Sequence, residues 1–135
     1  MERKIIILYY NEEDDVELVE NYIKEQCPSC VVKSISKREE YTEAIKTDVY
    51  DLIISQGDQQ HILDVISDYK LAKAITPHTK FILLSSEIAE EHVKDIKSYK
   101  EIEKVPRKNL NMLIPTVNRA LNEVYLKHDI SLHCG

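Results

Sequence analysis

The sequence predicts an α/β domain in which five parallel strands alternate with five helices, a doubly wound sheet covered on both faces. Three observations carry this reading. Short apolar runs alternate along the chain with stretches whose apolar residues recur at helical spacing. Runs such as Ile5 to Tyr10 are continuously apolar, as strands buried on both faces are. Only two Gly and four Pro occur in 135 residues, too few for a turn-dense all-β fold.

Each element has its own signal. Ile5 to Tyr10 is the first strand, followed by the acidic loop Asn11 to Asp15, which suits a helix N-terminus. Val16, Leu18, Val19, Tyr22 and Ile23 then mark a helix that stops before Pro28, because the residue before a proline avoids helical geometry. Val31, Val32 and Ile35 mark the second strand, and Tyr41 to Thr47 a short helix. Val49 to Ser55 is the third strand, with Gly57 as the turn after it. Ile62 to Ile75 is helical, with Ile62, Val65, Ile66, Tyr69 and Ala72 on one face. Past Pro77 come a fourth strand, Phe81 to Ser85, and a charged helix, Ile88 to Tyr99. Ile102 to Pro106 is a fifth strand, and the last helix runs from about Leu113 to His128 with Pro115 in its first turn.

A chain of this length suits one domain, and 43% hydrophobic with 31% charged residues is ordinary for a globular protein. The longest apolar run is far too short to span a bilayer or to form a signal-peptide core, so a cytoplasmic location without membrane attachment is expected. The net charge of -6 and the short basic clusters, such as Lys104, Arg107 and Lys108, argue against direct nucleic-acid binding. In a doubly wound sheet, function sits at the carboxyl ends of the strands. Those ends are Tyr10-Asn11, Ser55-Gln56-Gly57, Ser85-Ser86 and the region of Arg107.

Four stretches of the chain resemble the receiver domain of two-component signalling. Leu8 to Leu18, LYYNEEDDVEL, is similar to the receiver stretch L-V-E-D-N-E-D-D-V-E-L. Tyr50 to Gln56, YDLIISQ, is similar to W-D-L-V-I-S-D, which ends in the phosphorylated aspartate. Phe81 to Glu91, FILLSSEIAEE, resembles F-I-V-V-S-G-T-I-G-E-E, and Asn109 to Glu123 resembles N-L-x-R-L-V-P-A-V-E-R-A-L-R-E. The resemblance implies a (βα)5 flavodoxin-like three-layer sandwich over residues 1–126, with 127–135 a tail or the start of a linker.

In that family three carboxylates hold Mg²⁺, one of them the phosphoacceptor, while a Ser or Thr and a Lys contact the phosphoryl group. Here the acidic pair corresponds to Tyr10 and Asn11, and the acceptor to Gln56, whose amide is no nucleophile for an acyl phosphate. Ser85 matches the Ser/Thr position, and either Arg107 or Lys104 fills the Lys position. The resemblance thus implies an atypical receiver, a pseudo-receiver with no catalytic residue, no cofactor and weak or absent Mg²⁺ binding. Its expected role is a protein–protein interaction module, with a histidine kinase, an output domain or another receiver as partner, a homodimer included. The partner face implied by the family includes Glu90, Lys94, Lys97 and Lys104. Two alternatives stand beside this reading. One is phosphorylation at a displaced acid, Asp58 or the acidic loop at Glu12 and Glu13. The other is a flavodoxin-like binder of a small ligand at the strand ends.

Cys27-Pro28-Ser29-Cys30 is a C-x-x-C at the end of a helix, whereas redox pairs of the thioredoxin type sit at a helix N-terminus. Zinc would need further ligands, with His133 and Cys134 the clustered candidates. Three cysteines with no secretion signal give no disulfide framework, so Cys27 is expected as a helix-end residue and Cys30 as the start of a buried strand. His61, His78, His92 and His128 are scattered and read as surface residues.

Overall fold

A computed structural model describes residues 5–10, 16–57, 62–85, 99 and 101–121. Five strands form one parallel sheet in the order β2-β1-β3-β4-β5. They are β1 (Ile5–Tyr10), β2 (Cys30–Ile35), β3 (Leu52–Gly57), β4 (Lys80–Ser85) and β5 (Ile102–Pro106). Helices α1 (Val16–Gln26), α2 (Arg38–Thr47) and α3 (Ile62–Ile75) connect the first four strands. A 3-10 segment, Arg107–Met112, leads from β5 into a helix over residues 113–121, here α4.

The five-strand parallel sheet with helices agrees with the sequence reading. The helix expected from Ile88 to Tyr99 lies outside the described residues, except Tyr99 itself, which is not helical. The tail from residue 122 lies outside them too. Among the described residues, no helix is long and apolar enough to cross a membrane.

The continuously apolar strands explain the layering. Successive side chains of a strand point to opposite faces. Leu8, Tyr10, Ile53, Phe81, Leu83 and Ile102 therefore pack with Tyr41, Ala44 and Ile45 of α2 and with Val65, Ile66, Tyr69 and Ala72 of α3. Ile7, Tyr9, Leu52, Ile54, Ile82, Leu84 and Val105 pack instead with Val19 and Ile23 of α1 and with Leu113, Val117, Ala120 and Leu121 of α4. The strands β1, β3 and β4 are interior to the sheet, so their polar residues are confined to the strand ends.

Several boundaries differ from the sequence reading, each for a local reason. α2 begins at Arg38 rather than Tyr41, because Glu39 and Glu40 complement the positive helix end although they are not apolar. β3 continues through Gln56 and Gly57, pairing Gly57 with Ser85, and no described glycine takes a positive φ. Gly57 is thus the last strand residue and not a turn. Leu18 falls on the helical repeat of α1 but is exposed, since Val19 and Ile23 already fill the face toward the sheet.

These burials give a direct stability test. Ile54 is fully buried in a central strand. Ile54→Ala is expected to lower unfolding free energy by about 3 kcal/mol through lost burial and the cavity left behind. Leu18→Ala is expected to change it by less than about 0.5 kcal/mol, because the side chain is already in solvent. Urea unfolding of both variants measures the contrast.

Candidate functional site

The carboxyl ends of β1 and β3 lie side by side, with Tyr9 level with Ile54 and Tyr10 level with Ser55. Gln56 is one residue further along, level with Leu84 of β4. Strand alternation sends Tyr9 toward the α1 and α4 layer and Tyr10 toward the α2 and α3 layer. Tyr9 and Gln56 meet: the Tyr9 hydroxyl donates to the Gln56 Oε1 at 2.5 Å. The bond is a neutral one, from a phenol to a carboxamide.

Tyr10 meets a different partner. Its ring stacks on Tyr41 of α2, with centroids 5.1 Å apart and planes 20° from parallel. The Tyr41 hydroxyl donates to the Asp68 carbonyl at 2.7 Å and so ties α2 to α3. Arg38, the first residue of α2, reaches across to Asp64 and Asp68 of α3, each at 3.3 Å. Asp68 is only 3% exposed, and a carboxylate so placed requires charge compensation. The Asp68 charge in turn holds the Arg38 guanidinium above its ordinary value, against its own partial burial.

The remaining expected site residues are placed as follows. The Ser85 backbone is level with Gly57 on one side and Pro106 on the other. Arg107 follows Pro106 directly, at the carboxyl end of β5. Lys104 lies further back, beside Leu83, and is exposed. Asn11, Glu12, Glu13, Asp58, Glu90, Lys94 and Lys97 lie outside the described residues. Tyr9 reads as strand-end packing in the sequence, and it is fully buried, but its hydroxyl also engages Gln56. Arg38, Tyr41 and Asp68 escaped sequence reasoning. The available signal was a polar residue, Asp68, within the otherwise apolar face of α3.

Two other features stand apart from the strand ends. An open groove along the β2 edge is lined by Lys33, Ile35, Glu39, Glu40, Glu43, Ala44 and Thr47. The sulfurs of Cys27 and Cys30 are joined in a disulfide, which corrects the expectation of two unbridged cysteines. The tight turn after α1 sets their Cα atoms 5.5 Å apart, the usual separation for a bridge. Cys30 does open β2 and is buried, as expected. His133 and Cys134, the other zinc candidates, lie outside the described residues, as do His61, His92 and His128, whereas His78 is exposed.

No protein-family model matches the sequence, and no curated protein does. Solved structures share the fold at low identity. The chain is similar to an adenylate cyclase from Rhodopirellula baltica, with TM-score 0.74 and 12% identity over 98% of each chain. It is similar to a response regulator from Thermotoga maritima, with TM-score 0.72 and 15% identity over 89% of this chain and 99% of that one. The response regulator domain of Thermotoga maritima CheB gives TM-score 0.68 and 20% identity over 89% of this chain and 98% of the other. The fold is therefore the flavodoxin-like α/β sandwich that receiver domains adopt.

The buried rim makes a pH prediction. Burial, reinforced by the Asp68 charge and opposed by Arg38, pushes the Tyr41 phenol above its ordinary value of 10.0. The folded state thus keeps Tyr41 neutral where the unfolded chain ionises it. Its contribution is fully present below pH about 10 and is lost as pH rises beyond that value. Denaturant unfolding across that range is expected to show wild-type stability falling with pH, and Tyr41→Phe falling less steeply.

Proposed function

We propose that this chain is an atypical receiver, a signalling module that keeps the receiver sheet and does not take a phosphoryl group on Gln56. The observation that carries this reading is the pairing of Tyr9 and Gln56 at the carboxyl end of β3, where the resemblance sets the phosphoacceptor. A carboxamide offers no anionic oxygen to attack a phosphodonor. With Tyr10 and Asn11 at the positions of the acidic pair, three negative charges are lost together. A hard dication is held by such anionic oxygens, so Mg²⁺ binding is expected to be weak or absent. Arg107 fits the family's Lys position better than Lys104, because its backbone follows the Gly57, Ser85 and Pro106 row at the strand ends.

Without a phosphorylation cycle, the module acts through surfaces that other proteins recognise. Response regulators among the similar structures support signalling proteins as the partner class: a histidine kinase, an output domain or a second receiver. We read the chain as non-enzymatic. The cyclase name of one similar structure carries no activity to it, because 12% identity supports a common fold alone.

Incubation with acetyl phosphate, with and without Mg²⁺, tests the reading by intact mass, beside a phosphorylatable receiver as positive control. No added phosphoryl group is expected on this chain while the control gains one. An acid-labile, Mg²⁺-dependent adduct would overturn the reading. Its position at Asp58, Glu12 or Glu13 would then assign a displaced acceptor.

A further inference from the structure

The disulfide lies at the pole of the sheet opposite the carboxyl ends of the strands. Ile5 is level with Cys30 at the amino end of the β1 and β2 pair, and Tyr10 is level with Ile35 at its carboxyl end. The chain turns sharply between α1 and β2. The Cys27 N–H donates to the Ile23 carbonyl at 2.8 Å, and the Cys30 N–H donates to the Cys27 carbonyl at 3.0 Å.

The two cysteines have unequal surroundings. Cys30 is buried in the cluster that holds Ile7, Val32 and Ile23. Cys27 is partly buried at the margin of that cluster, beside the exposed Pro28 and Ser29. The Ser29 hydroxyl lies 3.8 Å from the Cys27 Sγ. A small nucleophile arriving from solvent therefore meets Cys27 first. Cys27 directly follows Gln26, the last residue of α1.

We propose that Cys27 and Cys30 are a thiol–disulfide exchange site for small thiols and their disulfides of the glutathione class, with Cys27 Sγ as the sulfur that exchanges with solvent. In the opening direction a thiolate RS⁻ attacks Cys27 Sγ. The protein S–S bond breaks, and Cys30 leaves with the electron pair and takes a proton. A second RS⁻ attacks the RS sulfur of the mixed disulfide, RSSR forms, and Cys27 leaves as a thiolate that takes a proton. In sum, two RSH reduce one protein disulfide to two protein thiols and yield one RSSR. Closure is the reverse, with RSSR as oxidant. Because the tight turn holds the two sulfurs within bonding reach, the closed form is favoured over the mixed disulfide.

The test uses the full chain carrying Cys134→Ser, equilibrated with reduced and oxidised glutathione, trapped with iodoacetamide and weighed intact. In oxidised glutathione the expected species carries neither glutathione nor alkyl groups, and in reduced glutathione it carries two alkyl groups. With single cysteines, Cys27 in Cys30→Ser is expected to take up glutathione about tenfold faster than Cys30 in Cys27→Ser. Should Cys30→Ser fail to fold, Cys30→Val keeps the buried position apolar and replaces it. A persistent glutathione adduct with both cysteines present, alkylation of both in oxidised glutathione, or equal single-cysteine rates would overturn the proposal.

Discussion

The burial of β1, β3 and β4 on both faces is the constraint on which the rest of the structure depends. A strand covered on both sides has no position for a charge along its length. Polar groups are therefore displaced to the strand ends. The same constraint fixes register, since a one-residue slip would exchange the two apolar faces. The two adjacent tyrosines of β1 show the outcome at one strand end. Tyr9 turns to one layer and meets Gln56, while Tyr10 turns to the other and stacks on Tyr41.

The electrostatics of that end follow from the same geometry. Among the described residues, the ends of β1 and β3 present a phenol, a hydroxyl and a carboxamide rather than carboxylates. Among the described residues, Asp64 and Asp68 of α3 are faced by Arg38 from α2. Asp68 is buried while Arg38 is exposed, so removing Arg38 would leave a buried carboxylate without its cation, which is costly. The pair works as a lock between the two helices, together with the Tyr41 hydroxyl on the Asp68 carbonyl. Among the described residues, a neutral hydrogen bond thus lies on the α1 and α4 face of the sheet and an ion pair on the α2 and α3 face.

The fold was legible in the sequence because burial on both faces leaves continuous apolar runs. Ile5 to Tyr10 is such a run and emerged with its expected boundaries, as did Ile62 to Ile75, read from its helical repeat, and Ile102 to Pro106 at the sheet edge. Boundaries set by charge or hydrogen bonding were not legible in this way. The start of α2 at Arg38 depends on acids and a guanidinium that hydropathy ignores. The 3-10 segment from Arg107 to Met112 has no apolar period of its own. Leu18 obeys the helical repeat yet faces solvent, because periodicity identifies a face but not its width. The disulfide depends on how tightly the chain turns at Pro28, which spacing alone leaves open. At the candidate site, the resemblance supplied Gln56 and Tyr10, but strand phase decides that Tyr9 is the residue against Gln56.

On the proposed reading, strand ends that carry Tyr10, Asn11 and Gln56 in place of three carboxylates are indifferent to Mg²⁺. Titration of isotope-labelled protein with Mg²⁺, followed through the amide resonances of Tyr10, Gln56 and Gly57, measures this at the site itself. No saturable movement is expected at millimolar Mg²⁺. Saturating shifts confined to those residues would mean that the strand ends still hold the ion, and would contradict the reading of a receiver fold without receiver chemistry.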